Sequence, residues 1–371
     1  MSSFSTTVAG MPLDVVNPVK PARSWTRKQL SNVLTERLRP TQITPALHTL
    51  LRALHSGVPL EEALTLVSKD AHALLAPVLG PERALTVQEM AHSSDRTCRI
   101  LFRTFTGDVI ESVIIPAPGG RRVTLCVSSQ VGCARKCAFC ETGRLGLQRQ
   151  LGADEIVDQF RLAQDWWSQN RGNLPAISNV VFMGMGEPFD NLDAVVDAIE
   201  LLCDSVTFGL SAKRITVSTV GVANKLRPFF SRSPAHLALS LHAPDDERRS
   251  RVMPINQRVG LAELKSALLE AMPPGREVLV EYILFDGFND SPDDAVLLSQ
   301  WLADVPSRLN LIPANPGPDP GLCQPSHQRV LAFQKQLQAA GVRTMVRYPH
   351  GRDVGGACGQ LAGARRSPTS D

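Results

Sequence analysis

Three cysteines at a fixed spacing carry the strongest chemical signal in the sequence. Cys133, Cys137 and Cys140 follow the pattern Cys-x3-Cys-x2-Cys, which can wrap three thiolates around one face of a cuboidal iron–sulfur cluster. An iron without a protein ligand can then bind a small molecule, and this open position allows catalysis. The alternative is a zinc knuckle, but zinc usually takes four ligands in paired groups, and the sequence has no second pair nearby. The spacing therefore favours an iron–sulfur cluster.

Two further cysteines are less informative by themselves. Cys358 lies in the segment ACGQLAG, whose small residues leave a thiol approachable as a reacting nucleophile. It could equally be a small buried residue near the C-terminus. Cys126 lies on a predicted strand before Cys133, where a buried strand residue is the ordinary interpretation. The other three cysteines are predicted to be packing or surface residues: Cys98, Cys203 and Cys323.

Alternating strands and helices are expected to position these cysteines. Apolar segments predict strands over residues 122–127, 178–183, 214–218, 236–241, 277–284, 309–312 and 343–347. Helical patterns lie between them over residues 153–170, 192–203, 261–271, 293–303 and 327–340. Repeated strand–helix units indicate a parallel sheet covered by helices. We therefore predict an α/β fold with an open or partial barrel, whose active-site loops follow the C-terminal ends of the strands.

The remaining parts of the chain suggest the domain organisation. Leucines at helical spacing predict a small helical N-terminal domain over residues 24–92, after a flexible tail at 1–23. Strands are predicted over 97–105 and 108–115. The barrel domain is expected over 93–363, including the C-terminal segment with Cys358, and a second flexible tail over 364–371.

Composition limits the class of protein. The chain has 371 residues, of which 43% are hydrophobic and 20% charged, as in a globular protein with a substantial core. The net charge of +3 does not by itself indicate a nucleic-acid binder, so an RNA-binding surface would need local clusters of arginine and lysine. No run of about 18 apolar residues and no secretory signal are found, and eight cysteines without an export signal favour reduced thiols. We expect a cytoplasmic protein without membrane association.

The cysteine loop and its surroundings resemble a known family. The segment from Cys126 to Gly143, CVSSQVGCARKCAFCETG, closely resembles the RlmN/Cfr family of radical S-adenosylmethionine (SAM) adenine methyltransferases, which act on 23S ribosomal RNA. The resemblance extends from about Ser93 to Gly363. It implies a partial (β/α)6 radical SAM barrel with one 4Fe–4S cluster per chain. It also implies an RNA substrate, ribosomal RNA above all, and an electron donor such as flavodoxin or ferredoxin. A monomer is expected.

The resemblance also assigns cofactor contacts at the strand ends. Gly186 and Glu187 lie in Gly-Met-Gly-Glu-Pro after a predicted strand, where glycine permits close approach and the carboxylate can take the amino group of SAM. The other SAM contacts implied are Ser218, Ser240, Leu241, His242 and Asn315. Without the resemblance, His242 would be an ordinary strand-end histidine.

The implied chemistry uses Cys126 and Cys358. Cys358 takes a methyl group from one SAM. A second SAM, cleaved reductively, yields a radical that removes hydrogen from the S-methyl group, so two SAM are used per turnover. The carbon radical adds to adenine, at carbon 2 by expectation. Cys126 assists collapse of the adduct and closes a transient disulfide with Cys358, and Glu111 matches a proposed proton acceptor of the family.

The RNA target is less determined than the chemistry. Arginines around the expected site could contact phosphates together: Arg96, Arg99, Arg103, Arg121, Arg122, Arg144 and Arg149. The family's Phe-Arg-x-x-Gln signature in the N-terminal module is not found here. Another RNA target or methylation at carbon 8 are alternatives. A non-catalytic iron–sulfur RNA-binding protein, or a radical SAM enzyme acting on a peptide or small molecule, would not need the Cys126 and Cys358 pair.

Overall fold

The computed structural model describes residues 20–35, 37–82 and 85–362. Residues 1–19 of the predicted N-terminal tail and the whole predicted C-terminal tail at 364–371 lie outside the described residues. Within the described part of the chain, no helix is both long enough and apolar enough to cross a membrane.

The N-terminal module consists of short helices that pack on one another. They are α1 (Arg27–Leu34), α2 (Pro40–His55), α3 (Leu60–Thr65) and α4 (Lys69–Leu75). Thr26 caps α1 through a reciprocal pair of hydrogen bonds with Gln29, and Pro40 begins α2 at a position where its missing N–H costs nothing. Leucines and alanines of these helices form an apolar core beside that of the sheet.

The prediction of a helical domain up to residue 92 is wrong over its last residues. Residues 86–92 form strand β1 (Thr86–His92), which pairs antiparallel with β2 (Cys98–Arg103). The Gln, Glu, Met and Ala of this segment favour helix locally. Pairing along the edge of the sheet outweighs that preference, and such a contact with a distant segment is not visible in local sequence.

One ten-stranded sheet forms the centre of the described structure. The strands that follow β2 are β3 (Val109–Pro116), β4 (Val123–Cys126), β5 (Gln130–Cys133), β6 (Gly146–Gln150), β7 (Ile177–Phe182), β8 (Ile215–Thr219), β9 (His236–Ser240), β10 (Val278–Leu284), β11 (Ser307–Pro313) and β12 (Thr344–Val346). Strands β1 to β4 pair antiparallel, whereas β4 and β7 to β12 run parallel in chain order. Strands β5 and β6 form a separate hairpin.

Helices connect the parallel strands. After the short α5 (Glu141–Leu145), these are α6 (Ala153–Asn170), α7 (Leu192–Cys203), α8 (Ala223–Arg232), α9 (Asp246–Val252), α10 (Leu261–Ala271), α11 (Pro292–Leu302) and α12 (His327–Ala339). At least one helix lies between every two neighbouring strands from β4 to β12. The predicted α/β fold with a partial (β/α)6 radical SAM barrel is confirmed. Helices α8 and α9 were not predicted, because a proline inside α8 and the charged sequence DERRSRV of α9 hide their apolar periodicity.

The direction of the parallel strands brings distant loops together. Strands β4, β7, β8, β9, β10 and β11 all present their C-terminal ends at the same edge of the sheet. Each of these strands contributes buried apolar residues to the core, as expected for strands covered on both faces, although β10 and β11 also carry the buried polar residues Glu281 and Asn310. Polar side chains are therefore concentrated in the loops at this edge, where the predicted site residues lie.

Candidate active site

The cysteine loop runs from the end of β5 to the start of α5. Cys133 and Cys137 are buried and Cys140 is partly buried. The backbone N–H of Arg135 lies 3.5 Å from Sγ of Cys133. Gly132 makes the hairpin below the loop possible, because its φ is 75° and a Cβ atom there would lie 1.8 Å from the carbonyl oxygen of Gly146.

The donors of this loop fit an iron–sulfur cluster. Burial raises the pKa of Cys133 to about 12, and burial together with the neighbouring thiols raises the pKa of Cys137 well above its ordinary value. Thiolates in such surroundings require a cationic group to stabilise them. Among the described residues, no three side chains of His, Cys, Asp or Glu are gathered to hold a single metal ion. A cuboidal cluster takes its thiolates on separate irons, so it does not need that closer arrangement.

A pocket of about 780 Å³, open to solvent, adjoins the loop. We call it the cluster-side pocket. It brings together Cys140 and most of the predicted cofactor contacts: Gly186, Glu187, Ser218, Ser240 and His242. The hydroxyl oxygens of Ser218 and Ser240 lie 3.5 Å apart, on neighbouring strands. Leu241, also predicted as a contact, is fully buried and does not line the pocket.

A second pocket of about 540 Å³ lies beside the first, and we call it the Cys126-side pocket. Cys126, at the end of β4, and Asn315 line it, so the predicted SAM contact Asn315 lies in the wall of this pocket and not of the cluster-side pocket. The wall shared by the two pockets is formed by Met183, Ile312, Arg347, Cys358 and Leu361. Cys358 is therefore accessible from both sides.

Glu187 joins two of the strand-end loops. Its Oε1 accepts from the N–H of Phe189 and its Oε2 accepts from the N–H of Val220, both at 2.9 Å. The side chain is buried, and this burial raises its pKa to about 7. Gly186 before it has a φ of 102° and packs against Gln130, where a Cβ atom would lie 2.6 Å from the glutamine Cβ. The carboxylate thus orders the loops after β7 and β8.

His242 is held neutral at the end of β9. Its Nδ1 accepts from the N–H of Ile283 at 3.1 Å, so the ring proton is carried by Nε2. Burial and the Arg249 guanidinium lower its pKa to about 3. The ring meets Phe139 of the cysteine loop edge-to-face with centroids 4.9 Å apart. At neutral pH the histidine is therefore uncharged, and its Nε2–H is a hydrogen-bond donor beside the cysteine loop.

Arg249 is a site residue that the sequence did not indicate. It lies on α9 with 1% of its surface exposed, and its guanidinium donates to the carbonyl oxygens of Val220 (2.8 Å), Ser240 (3.1 Å) and Leu241 (3.1 Å). It also donates to Oδ1 of Asn256 at 2.8 Å. One side chain therefore fixes the loops after β8 and β9. The charged run around it in the sequence is typical of a solvated face, so no local signal identified it.

The segment 357–362, which we call the cysteine segment, is anchored at several points. The carbonyl oxygen of Cys358 accepts from Nδ2 of Asn315 at 3.0 Å, and that of Gly359 accepts from the N–H of Glu141 at 2.8 Å. Thr142 donates its hydroxyl to the carbonyl oxygen of Leu361 at 2.7 Å. These bonds attach the segment to the loop after β11 and to the start of α5, beside the cysteine loop.

Glu111 supplies another anchor of the same segment. It is fully buried on β3, its Oε1 accepts from Nη1 of Arg99 at 2.8 Å, and its Oε2 accepts from the N–H of Ala362 at 3.1 Å. The residue lines neither of the two pockets. That Glu111 accepts a proton during the reaction stays a prediction.

Cys126 and Cys358, the two cysteines predicted to react, share one electrostatic environment. Burial and the Cys358 thiol raise the pKa of Cys126 to about 12, while the Arg347 guanidinium lowers it. Cys358 is solvent exposed as a residue, although the crowded surroundings of its sulfur raise its pKa and Arg347 lowers it. Both sulfurs are therefore thiols at neutral pH, with one guanidinium that favours ionisation of each.

The predicted basic residues divide into two groups. Arg99 is paired with Glu111, and Arg149 is paired with Asp108 and Glu155. The others are exposed to solvent: Arg96, Arg103, Arg121, Arg122 and Arg144. Exposed arginines are available to phosphates, whereas the paired ones stabilise the fold.

Comparison with known proteins gives concordant matches. The Radical SAM superfamily model matches residues 127–298. A protein of Sorangium cellulosum named "Probable RNA methyltransferase" is 57% identical over 294 residues, covering 79% of this chain and 72% of its own length. The "Dual-specificity RNA methyltransferase RlmN" of Syntrophobacter fumaroxidans is 45% identical, covering 75% of this chain and 80% of its own. A crystal structure of a radical SAM methyltransferase from Sphaerobacter thermophilus superposes with a TM-score of 0.78 at 36% identity, covering 92% of this chain and 99% of that one.

Proposed function

Because the chain belongs to the RlmN family of radical SAM RNA methyltransferases, we propose that it methylates carbon 2 of an adenine in 23S ribosomal RNA through an S-methylated Cys358. The observation that carries this proposal is the position of Cys358 in the wall between two adjoining pockets. A methyl group can be added to this sulfur from one pocket, and its carbon can be transferred to the adenine in the other pocket.

The cluster-side pocket is assigned to SAM. Cys133, Cys137 and Cys140 would hold the 4Fe–4S cluster, one per chain. When bound, the cluster supplies the electron for reductive cleavage of SAM, which activates an otherwise unreactive C–H bond. The hydroxyls of Ser218 and Ser240 can orient SAM, while His242 and Phe139 exclude water from this end of the pocket.

Cys358 acts first as a nucleophile. Its thiolate attacks the methyl group of one SAM, so that a sulfur–carbon bond forms as the sulfonium carbon–sulfur bond breaks and S-adenosylhomocysteine leaves. The hydrogen bond from Asn315 to its carbonyl and the anchors of the cysteine segment keep this sulfur between the pockets. A second SAM then serves for activation, which makes two SAM per turnover.

Cys126 acts in the other pocket. In its thiolate form it would accept the proton that leaves the substituted adenine carbon, while the radical adduct gives up one electron to the oxidised electron-transfer partner. After releasing that proton to solvent, Cys126 would attack the sulfur of Cys358. The sulfur–carbon bond of Cys358 breaks, and the freed carbon takes a proton to become the methyl group of the product. The disulfide left between Cys126 and Cys358 must be reduced before the next turnover. A flavodoxin or ferredoxin as electron donor, a monomeric enzyme and proton acceptance by Glu111 complete the proposal.

Anaerobic reconstitution followed by incubation with SAM, reductant and either ribosomal or transfer RNA tests this function. Nucleosides from the digested RNA are identified by mass spectrometry. We expect 2-methyladenosine in ribosomal RNA, its loss in Cys358→Ala and its retention in Cys323→Ala, because Cys323 is exposed and lines neither pocket. Methylation at carbon 8, methylation of transfer RNA alone, or product from Cys358→Ala would each contradict the proposal.

A further inference from the structure

Arg347 has an unusual position for a partly buried arginine. It follows β12, where its backbone N–H donates to the carbonyl oxygen of Leu311 at 2.8 Å, and its side chain lines both pockets. The guanidinium contacts Sδ of Met183 at 3.9 Å through Nη1. No carboxylate among the described residues lies within 4.0 Å of it as an ion-pair partner. A guanidinium with so few partners can stabilise a negative charge that forms on another group of the shared wall.

Glu281 is an acid that lines the cluster-side pocket together with Arg347. It lies on β10 with 3% of its surface exposed. Its Oε1 accepts from Nδ2 of Asn310 at 3.2 Å, while its Oε2 is buried without a hydrogen-bond partner. Burial raises the pKa of Glu281 and Arg347 lowers it. This acid favours the charged form of the arginine without forming an ion pair that would occupy it.

The thiols are the other groups that Arg347 faces. Cys126 lines only the Cys126-side pocket and Cys358 lines both, so the guanidinium borders the two sulfurs that must join. Most of the other residues that line the Cys126-side pocket are apolar, among them Ile115, Val181, Ile312 and Leu361, and the polar ones are Asn315, Tyr348 and His350. Burial disfavours a thiolate there, and Arg347 is the charged group that favours one at Cys126.

We propose that Arg347 is a positioning residue that stabilises the thiolate of Cys126 for closure of the disulfide with Cys358. This inference rests on the proposed function. In that step Cys126 releases its proton to solvent and its sulfur bonds to the sulfur of Cys358. The sulfur–carbon bond of Cys358 breaks with its electron pair on the carbon, which is then protonated. The guanidinium stabilises the attacking thiolate and requires no additional reactant.

Alkylation of Cys126 in the reconstituted enzyme tests the inference without RNA or turnover. The background is Cys358→Ala, and the modification of Cys126 is measured by peptide mass spectrometry with iodoacetamide and with the anionic iodoacetate. The variants are Arg347→Gln, Arg347→Met and Arg347→Lys. Two neutral variants are included so that the test survives if one fails to fold. Arg343→Gln is the matched control, since Arg343 pairs with Glu277 outside both pockets.

Loss of the charge should raise the pKa of Cys126 by about one unit or more, which slows reaction with iodoacetamide about tenfold at each pH below that pKa. The ratio of the iodoacetate rate to the iodoacetamide rate should also fall. The two reagents have similar sizes, and only the anionic iodoacetate is attracted by the positive charge of Arg347. Arg347→Lys should retain most of the rate and the ratio, and Arg343→Gln should match the parent. An unchanged ratio in both neutral variants would overturn the inference. These outcomes do not depend on methylation, so failure of the proposed function is seen separately in the RNA assay.

Discussion

Replacing Glu111 with glutamine tests how the cysteine segment is held beside the cluster-side pocket. The carboxylate accepts from Arg99 with one oxygen and from the N–H of Ala362 with the other. Glutamine has the same shape but one acceptor oxygen, so its NH2 group must face one of these two donors. Either Arg99 or the N–H of Ala362 then loses its hydrogen bond to this fully buried side chain.

The cost follows from these contacts. A hydrogen bond to a charged group contributes about 1.5–3 kcal/mol. The side chain of Arg99 is 15% exposed and keeps Glu89 as a second partner at 3.5 Å, which reduces the penalty. We expect a loss of about 2–3 kcal/mol in the free energy of unfolding, or a fall in Tm of about 3 °C for a chain of this length. Release of the Ala362 anchor alone should lower the ratio of docked to undocked cysteine segment about tenfold.

Three measurements on Glu111→Gln check this expectation: anaerobic thermal unfolding, hydrogen exchange at the amide of Ala362, and the methylation rate. We expect faster exchange at Ala362 and a rate about tenfold lower. The comparison variant is Thr142→Val, which removes the hydroxyl bond to Leu361 of the same segment and has no titratable group. Similar rate losses in the two variants would agree with anchoring.

The opposite result would refute the anchoring role. If Glu111 serves mainly as a proton acceptor, its loss should lower the rate by about 10²–10⁴-fold, while exchange at Ala362 stays as in the parent enzyme. This result would support proton acceptance by Glu111 as its main role.

Two further predictions concern the strand-end loops. Arg249→Met should lower the free energy of unfolding by about 2–4 kcal/mol, because three carbonyl oxygens and Asn256 lose their hydrogen-bond donor. Removal of a buried charge offsets part of this loss. Thermal unfolding checks the prediction, and Arg251→Met at an exposed position is the near-neutral control. The raised pKa of Glu187, about 7 against 4.5, means that the folded state holds its proton more tightly, so stability should fall as pH rises from about 4.5 to about 7. Unfolding measured across this range should show a smaller fall in Glu187→Gln, and an identical pH profile would contradict the assignment.

Local sequence patterns predicted a helix or strand well where the pattern lies entirely within that element's own residues. The predicted helices at 153–170, 192–203 and 261–271 begin and end at the same residues as α6, α7 and α10, because apolar residues recur in them at the helical period. Strand β1 and helix α9 were missed, since the first depends on pairing with β2 and the second is stabilised by buried Arg249. Neither cause can be read within one short segment.

By itself, the sequence predicted Cys133, Cys137 and Cys140 as cluster ligands, and it indicated the parallel sheet and the family to which the chain belongs. These follow from spacing within one loop and from periodicity, which are local properties. Only the tertiary structure decided that Cys358 lies between two pockets, that the oxygens of Glu187 are occupied by two backbone N–H groups, and that Arg347 faces both thiols. Each of these contacts joins residues far apart in the chain, so it depends on how the strands align and how the loops at their ends pack.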